Sequence, residues 1–526
     1  MKRTYPLESL NKRKLLMLAI SLVFFFFFML LDGPYLETDS PAYLTFHPSR
    51  MEVPVYPLFL ALMRLVPFPG GGAFEGHPGV WQALVFQNLI WGAATFFFGN
   101  FIMGFYIRRD AQKGTDTSSM LLAWQNKQEA NRDLNRAFWM GMAGIGFQFV
   151  VALLNRFAAP RRCMYSNQIM SEALTMPLFI LFLVFLYRLI RYRRKSDSRL
   201  CALCAFFLIG LRGHMKVVLV IWLASAALYF LVLKKSRSPG LFLASVFRIV
   251  VVLIVCSFFI AVTNQIRYGR WTTASNPEAV LCNLLYIADD DSSELFREGE
   301  EQEKEWFEQI RKMQKERGAL LLARPSDADF FEKETHYALN YDVIGYEIVH
   351  PVIYETADTE RIFAGEDRIL FLRDAERRLS DVLKRQDMTE YVRMAAVNFV
   401  AALAYSNARF TKLLLPLSAF MYALYILLLF LVIRKRSALR RIICHDEENA
   451  GKPQTTLIQE HQESPGQRVE KAERIDSVIS FSALLLIATL VNASLVALTI
   501  FPQGRYMIYC MGMFYTCMML MMSVLD

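Results

Sequence analysis

The chain is poor in the features that mark soluble enzymes. It has no P-loop, no dinucleotide-binding glycine fingerprint, no HExxH and no GxSxG. The cues for nucleotide-binding folds, zinc peptidases and serine hydrolases are therefore missing. There is no internal repeat. The net charge is +9, yet the basic residues form no stripe interleaved with aromatics, so nucleic acid is not an expected partner. The eight cysteines fall mostly inside apolar runs, which argues against a disulfide framework. Cys201 and Cys204 make a CxxC, but it lies in "LCALCAFFLIG", without the polar company that a zinc or redox site needs. His47 and His350 stand alone, lacking the closely spaced partners of zinc motifs. Charge is almost absent from the long apolar runs.

Those runs are what the sequence does have. The chain is 54% hydrophobic over 526 residues. Several runs reach the roughly 20 residues needed to cross hydrocarbon. The first is too long for a cleaved signal peptide and lacks a small-residue cleavage site, so it reads as a retained span. Candidate spans are Leu15–Leu31, Trp81–Ile107, Ala137–Leu154, Ala173–Leu189, Leu200–Leu211, Val217–Leu233, Leu241–Val262, Leu413–Ile433, Val478–Phe501 and Tyr506–Val524. Leu200–Leu211 is short, but basic clusters flank both ends of the Leu200–Leu233 stretch, and a helical pair keeps both on one side. The expectation is an all-α polytopic membrane protein with about ten transmembrane helices and a cytoplasmic N-terminus.

Three regions follow. Residues 1–262 form an N-terminal transmembrane module with a first outer loop at 32–79. Residues 263–412 are polar and long enough for an extracytoplasmic, mostly helical domain. Its "EGEEQEKEWFEQIRKMQKERG" reads as a charged amphipathic helix. Residues 413–526 hold the C-terminal transmembrane helices, with a cytoplasmic linker at 434–474 whose composition suggests disorder. In the first outer loop, "VPVYPLFLALMRLVPF" is too short and proline-broken to span, and suits a helix lying along the interface.

Polar residues gather at the outer ends of the spans. "LLDGPYLETDSPAYL" brings Asp32, Glu37 and Asp39, and the loop after the third span brings Arg161, Arg162 and Glu172. "LRGHMK" brings Arg212, His214 and Lys216, "NQIRYGR" brings Arg267 and Arg270, and "QGRY" brings Arg505 and Tyr506. Basic residues on this side run against the charge rule. A lipid-borne phosphate would account for them, since it wants guanidinium forks and an ammonium charge. Carboxylates beside it suit a general base, or a divalent metal bridging to the phosphate. Metal dependence is thus the one cofactor question that the residues raise. Each residue also has a plainer role: Asp39 as a turn or capping acid, Glu172 as an acid favourable at a helix start, Arg505 as a snorkelling cation.

"TDSPAYL" followed by "VPVYPLFLALMR" resembles the first outer loop of GT-C type membrane glycosyltransferases, in the branch related to protein O-mannosyltransferases and aminoarabinose transferases. "SEALTMPLFILFLVFLYRL", "GLRGHMKVVLVIWLASAAL", "NQIRYGRWTTAS" and "QGRYMIY" are similar, in order, to later segments of that family. His214 stands where proline is more usual, and DxD-like or paired-acid patterns are not evident. The resemblance implies a GT-C-like fold that moves a sugar from a polyprenyl-phosphate donor to an unknown acceptor, whether lipid, polysaccharide or protein. Transfer would occur on the outer face of a bacterial plasma membrane. Asp39 would be the general base and Glu172 a second catalytic carboxylate. Arg212, Lys216, Arg267, Arg505 and Tyr506 would hold the lipid phosphate. The alternative is a transporter or flippase of a polar or lipid-linked solute, which should show mid-span charge, broken helices and repeat symmetry. A structural or polymer-assembly protein is a third class, and it would need no acid at position 39.

Overall fold

In hydrocarbon every backbone polar group must be satisfied within its own segment, so long apolar runs fold as helices. The structure, a computed structural model, describes residues 7–107, 120–158, 162–232, 238–273, 278–325, 327–359, 365–408, 413–449 and 465–526. Among the described residues there is no strand, only two isolated bridges, Tyr35–Gln168 and Phe74–His77. The helices, in order, are α1 (Leu7–Asp32), α2 (Ser40–Leu44), α3 (Val55–Met63), α4 (Val80–Met103), α5 (Met120–Ala158), α6 (Glu172–Tyr192), α7 (Lys195–Leu211), α8 (Val217–Ala227) and α9 (Pro239–Tyr268). They continue as α10 (Glu278–Ile287), α11 (Glu301–Arg317), α12 (Phe330–Asp342), α13 (His350–Thr359), α14 (Gly365–Leu383), α15 (Thr389–Asn407), α16 (Leu414–Asn449), α17 (Pro465–Thr499), α18 (Gly504–Met507) and α19 (Met511–Leu525).

Nine stretches among the described residues are long and apolar enough to cross a membrane, and the protein is an all-α, multi-pass membrane protein. The short Leu200–Leu211 run becomes α7, a 17-residue helix that turns at Arg212 into α8. At 17 residues α7 falls short of the length needed to cross, so the described residues hold nine candidate spans against the roughly ten expected. The ends of α1 and α5 meet through Arg156 and Asp32, and Arg212 after α7 meets Glu172 at the start of α6. Inside the bundle, Phe101, Tyr187 and Phe481 pack edge to face at 5.1–5.6 Å. Gly99 and Gly141 let α4 and α5 touch: a Cβ on Gly141 would sit 2.8 Å from the Gly99 carbonyl.

The linker expected to be disordered over 434–474 is partly helical. The structure continues α16 to Asn449 and starts α17 at Pro465. Arg436 and Arg440, one turn apart, both pair with Asp476, which ties the two extensions together.

The first loop is also more built than an interfacial helix requires. The Tyr35 amide donates to the Asn167 carbonyl at 2.9 Å, and the Ile169 amide donates back to Tyr35 at 2.9 Å. On α3, Tyr56 and Leu60 bury against Leu44, Val80 and Leu211, while Leu62 stays exposed. The expected amphipathic helix exists, but one face packs on protein.

Helices α10 to α14 and the start of α15 form a domain at this same end, while the rest of α15 packs on the bundle, with Ala402 against Ala493 and Val496 of α17. The domain core joins Leu285, Trp306, Phe307, Ile310, Tyr337, Ile344 and Leu379. The charged sequence around Trp306 forms α11 as expected and buries Trp306, Phe307 and Ile310 along one stripe. Phe501, just past α17, belongs to the same core, so the domain is seated on the bundle.

Candidate functional site

Between the domain and the bundle end lies a cavity of about 890 Å³. Its walls come from the end of α5, the first loop, the loop before α6, the domain, and Gln503 with the start of α18. Asp39 and Arg505, more than 460 positions apart in sequence by 505 − 39, both line it.

The three clustered carboxylates have three different fates. Asp32 is structural: Arg156 binds it in a fork, with Nη2 to Oδ1 at 2.6 Å and Nε to Oδ2 at 3.1 Å, and the Met164 amide donates to Oδ2 at 3.2 Å. Glu37 is buried, its amide donating to Ser40 Oγ at 2.7 Å while Ser40 donates to the Ile169 carbonyl at 2.8 Å. Asp39 is the open one. It precedes α2 without making a capping hydrogen bond, so it is not the plain capping acid. Its side chain is 40% exposed and pairs with Arg50 at 2.9 Å, which fixes its direction.

A chain of polar contacts runs from Arg50 into the bundle. The Arg50 guanidinium sits 4.7 Å over the Tyr43 ring. Tyr43 Oη and Ser171 Oγ are 3.2 Å apart, and Ser171 donates to Glu172 Oε2 at 3.4 Å. Glu172 is 1% exposed and forms ion pairs with Arg212 and, at 3.8 Å, with Arg505. Both guanidiniums lie over the Tyr506 ring, at 5.2 and 5.1 Å. The His214 ring meets Tyr506 edge-on at 5.4 Å. Asn492 donates to the Tyr506 carbonyl at 2.8 Å and so steadies the segment.

The sequence-derived candidates therefore separate. Asp39 and Arg505 face the cavity, with Arg212 and Tyr506 directly behind Arg505. Glu172 is enclosed by two arginines and does not reach the cavity wall; it sets their position. Lys216 is exposed on the turn after Arg212 and is not part of the lining. Arg267 is exposed, stacks over Phe46 at 5.3 Å and also lies outside the lining. Arg270 pairs with Asp367 of the domain. Arg161 lies outside the described residues.

The domain supplies residues that sequence reasoning did not assign. Asp342, Tyr346, Tyr354 and Arg373 line the cavity opposite Asp39. Burial pushes the Asp342 carboxyl above the usual carboxylate range, opposed by the Arg505 charge and reinforced by Asp39. Arg373 donates to the Ser49 carbonyl at 2.7 Å, locking domain to loop. Arg50 carried one signal, a cation on the side where cations are scarce. The domain residues carried none, because no motif surrounds them.

No family model matches the chain, and neither a curated protein nor a solved structure matches it. The site is accordingly read from its own residues.

Proposed function

We propose that this chain is a membrane glycosyltransferase that takes a sugar from a polyprenyl-phosphate donor and passes it to a hydroxyl acceptor in the cavity. The observation that carries the reading is a single cavity at the membrane end of the bundle with an oriented, half-open carboxylate, Asp39, and a guanidinium, Arg505, backed by Arg212. Substitution at an anomeric carbon needs both. The acceptor oxygen forms a bond to the anomeric carbon as the bond from that carbon to the phosphate oxygen breaks. Asp39 takes the acceptor's proton. The polyprenyl phosphate leaves with the electron pair, and Arg505 stabilises the charge it gains. Glu172 holds Arg505 and Arg212 in place as a positioning residue.

The far end of the bundle carries Arg436 and Arg440, together with Arg188, Arg193, Arg194 and Lys195 around the α6–α7 turn. By the positive-inside rule that end is cytoplasmic, and the cavity faces outward. A bacterial plasma membrane is the setting this reading takes. A transporter is the weaker reading, because the bundle interior beneath the cavity, around Phe25, Trp91 and Tyr509, opens to a volume of only about 20 Å³.

The test is Asp39→Asn in membranes supplied with a polyprenyl-phosphate sugar. Transfer should fall by about 100-fold or more with normal expression. Full transfer by that variant would remove Asp39 from the chemistry.

A further inference from the structure

The domain wall of the cavity holds a group of side chains that glycosyl transfer does not use. Glu278 in the first turn of α10, His350 at the start of α13 and Glu376 on α14 each offer one ligand atom, and these atoms all lie within 4.8 Å of one another. All three residues line the cavity. The Glu376 side chain is 2% exposed, and its Oε1 makes no hydrogen bond. His350 Nε2 faces it at 3.4 Å and makes none either. A buried carboxylate oxygen left in this state is costly unless something binds it.

The local backbone serves the same arrangement. Val343–Val349 is π-helical and delivers His350 at its end; such turns are frequent at functional sites. The His350 ring is flanked by Tyr346 and Tyr354 at 5.2 and 5.9 Å, which fixes its plane. Gly345 in the π turn lets the Glu278 carboxylate lie close against the backbone: a Cβ there would lie 3.1 Å from Glu278 Oε1.

We propose that Glu278, His350 and Glu376 bind a divalent transition-metal ion of the Zn2+ or Mn2+ type. One imidazole with two carboxylates is a donor set that both Zn2+, which takes imidazole and carboxylate, and the harder Mn2+, which favours carboxylate, accept. Bonds of about 2.1 Å in a tetrahedral site place ligand atoms about 3.4 Å apart; His350 Nε2 and Glu376 Oε1 already stand at 3.4 Å, and the widest separation, within 4.8 Å, has to close by up to about 1.4 Å on binding. The alternative arrangement, a protonated His350 paired with Glu376, needs no metal. Metal binding here is independent of the transfer reaction, and its test reads the ion itself.

The experiment uses the full chain in detergent, stripped with EDTA and titrated with Mn2+, following the free ion by electron paramagnetic resonance. The expected result is one Mn2+ per chain, displaced by Zn2+, with nitrogen modulation from one imidazole in the bound spectrum. His350→Ala and Glu376→Gln should each weaken binding about tenfold or more, while Asp39→Asn binds as wild type does. Absence of stoichiometric binding, or binding unchanged in both ligand variants, overturns the site. Should either variant fail to fold, the wild-type spectrum decides, because bound Mn2+ without nitrogen modulation also overturns it.

Discussion

Glu172→Gln tests whether the buried acid positions the arginines. The substitution keeps the shape and the acceptor for Ser171 but removes a charge that is 1% exposed between Arg212, 14% exposed, and Arg505, 25% exposed. At an effective dielectric of about 20, unit charges about 4 Å apart attract by about 4 kcal/mol. Breaking a buried pair by removing one partner typically costs about 3–5 kcal/mol, because the other charge is left uncompensated. Arg505 can still reach cavity water, so the lower end applies, about 3 kcal/mol. With an unfolding entropy of about 2.1 cal/mol/K per residue, the 526-residue chain loses about 1 °C per kcal/mol, so this is a fall of about 3 °C in the thermal midpoint of the detergent-solubilised chain. Glu172→Gln with Arg212→Gln removes the orphaned cation too and should recover about 1–2 kcal/mol of that loss. A Glu172→Gln midpoint within about 0.5 °C of wild type, with full transfer, would refute the positioning role.

The other substitutions separate the remaining roles. Asp39→Asn removes only a half-exposed pair with Arg50, worth about 0.2–1 kcal/mol, so its thermal midpoint should stay near wild type while transfer is lost. Arg505→Lys keeps the charge but loses the fork; steady-state assays should show the donor KM rising about tenfold. In the domain, Glu300 is forked by Arg385 at 2.7 and 2.8 Å and takes the Arg297 amide at 2.9 Å. The Arg385 fork and then the Arg297 amide hold its carboxyl down at about 2, against an ordinary 4.5. Its contribution to stability is therefore present above pH 4.5 and lost as pH falls toward 2. Glu300→Gln should lower the midpoint at pH 7, and the gap should shrink as melts are repeated down to about pH 3; a gap constant with pH would contradict this.

Much of the bundle was legible because burial in hydrocarbon leaves a compositional trace: every proposed span coincides with a helix. The Leu200–Leu233 pair was readable from its basic flanks, and the structure forms it as α7 and α8. Asp39, Glu172, Arg212, Lys216, Arg267 and Arg505 were singled out because charge at a helix end needs a reason, and of these only Asp39 and Arg505 line the cavity. What sequence could not rank was exposure. Asp32, Glu37 and Asp39 look alike in "LLDGPYLETDS", and only partners separate them: Arg156 closes on the first, Ser40 caps the second's turn and Arg50 leaves the third open. The domain wall was unreadable for a different reason. Glu278, His350 and Glu376 are 72 and 26 positions apart by 350 − 278 and 376 − 350, so their convergence is a product of tertiary packing with no local signature.

Orientation is open to a direct test that the cysteines make clean. Seven of the eight are buried, and Cys444 alone is exposed, on the α16 extension at the end away from the cavity. Buried thiols in apolar surroundings react slowly with a membrane-impermeant maleimide. In intact cells the wild-type chain should therefore stay unlabelled, and it should label once the membrane is opened. Thr38 is exposed and lines the cavity beside Asp39. Thr38→Cys with Cys444→Ser should reverse the pattern and label in intact cells. A polyprenyl-phosphate sugar preloaded in the membrane should slow that labelling, because the donor would share the cavity with position 38. Labelling of Cys444 in intact cells, with Thr38→Cys protected until lysis, would turn the molecule over. The cavity would then open to the cytoplasm, and the outward-facing transfer reaction would fail, whatever the activity of Asp39→Asn.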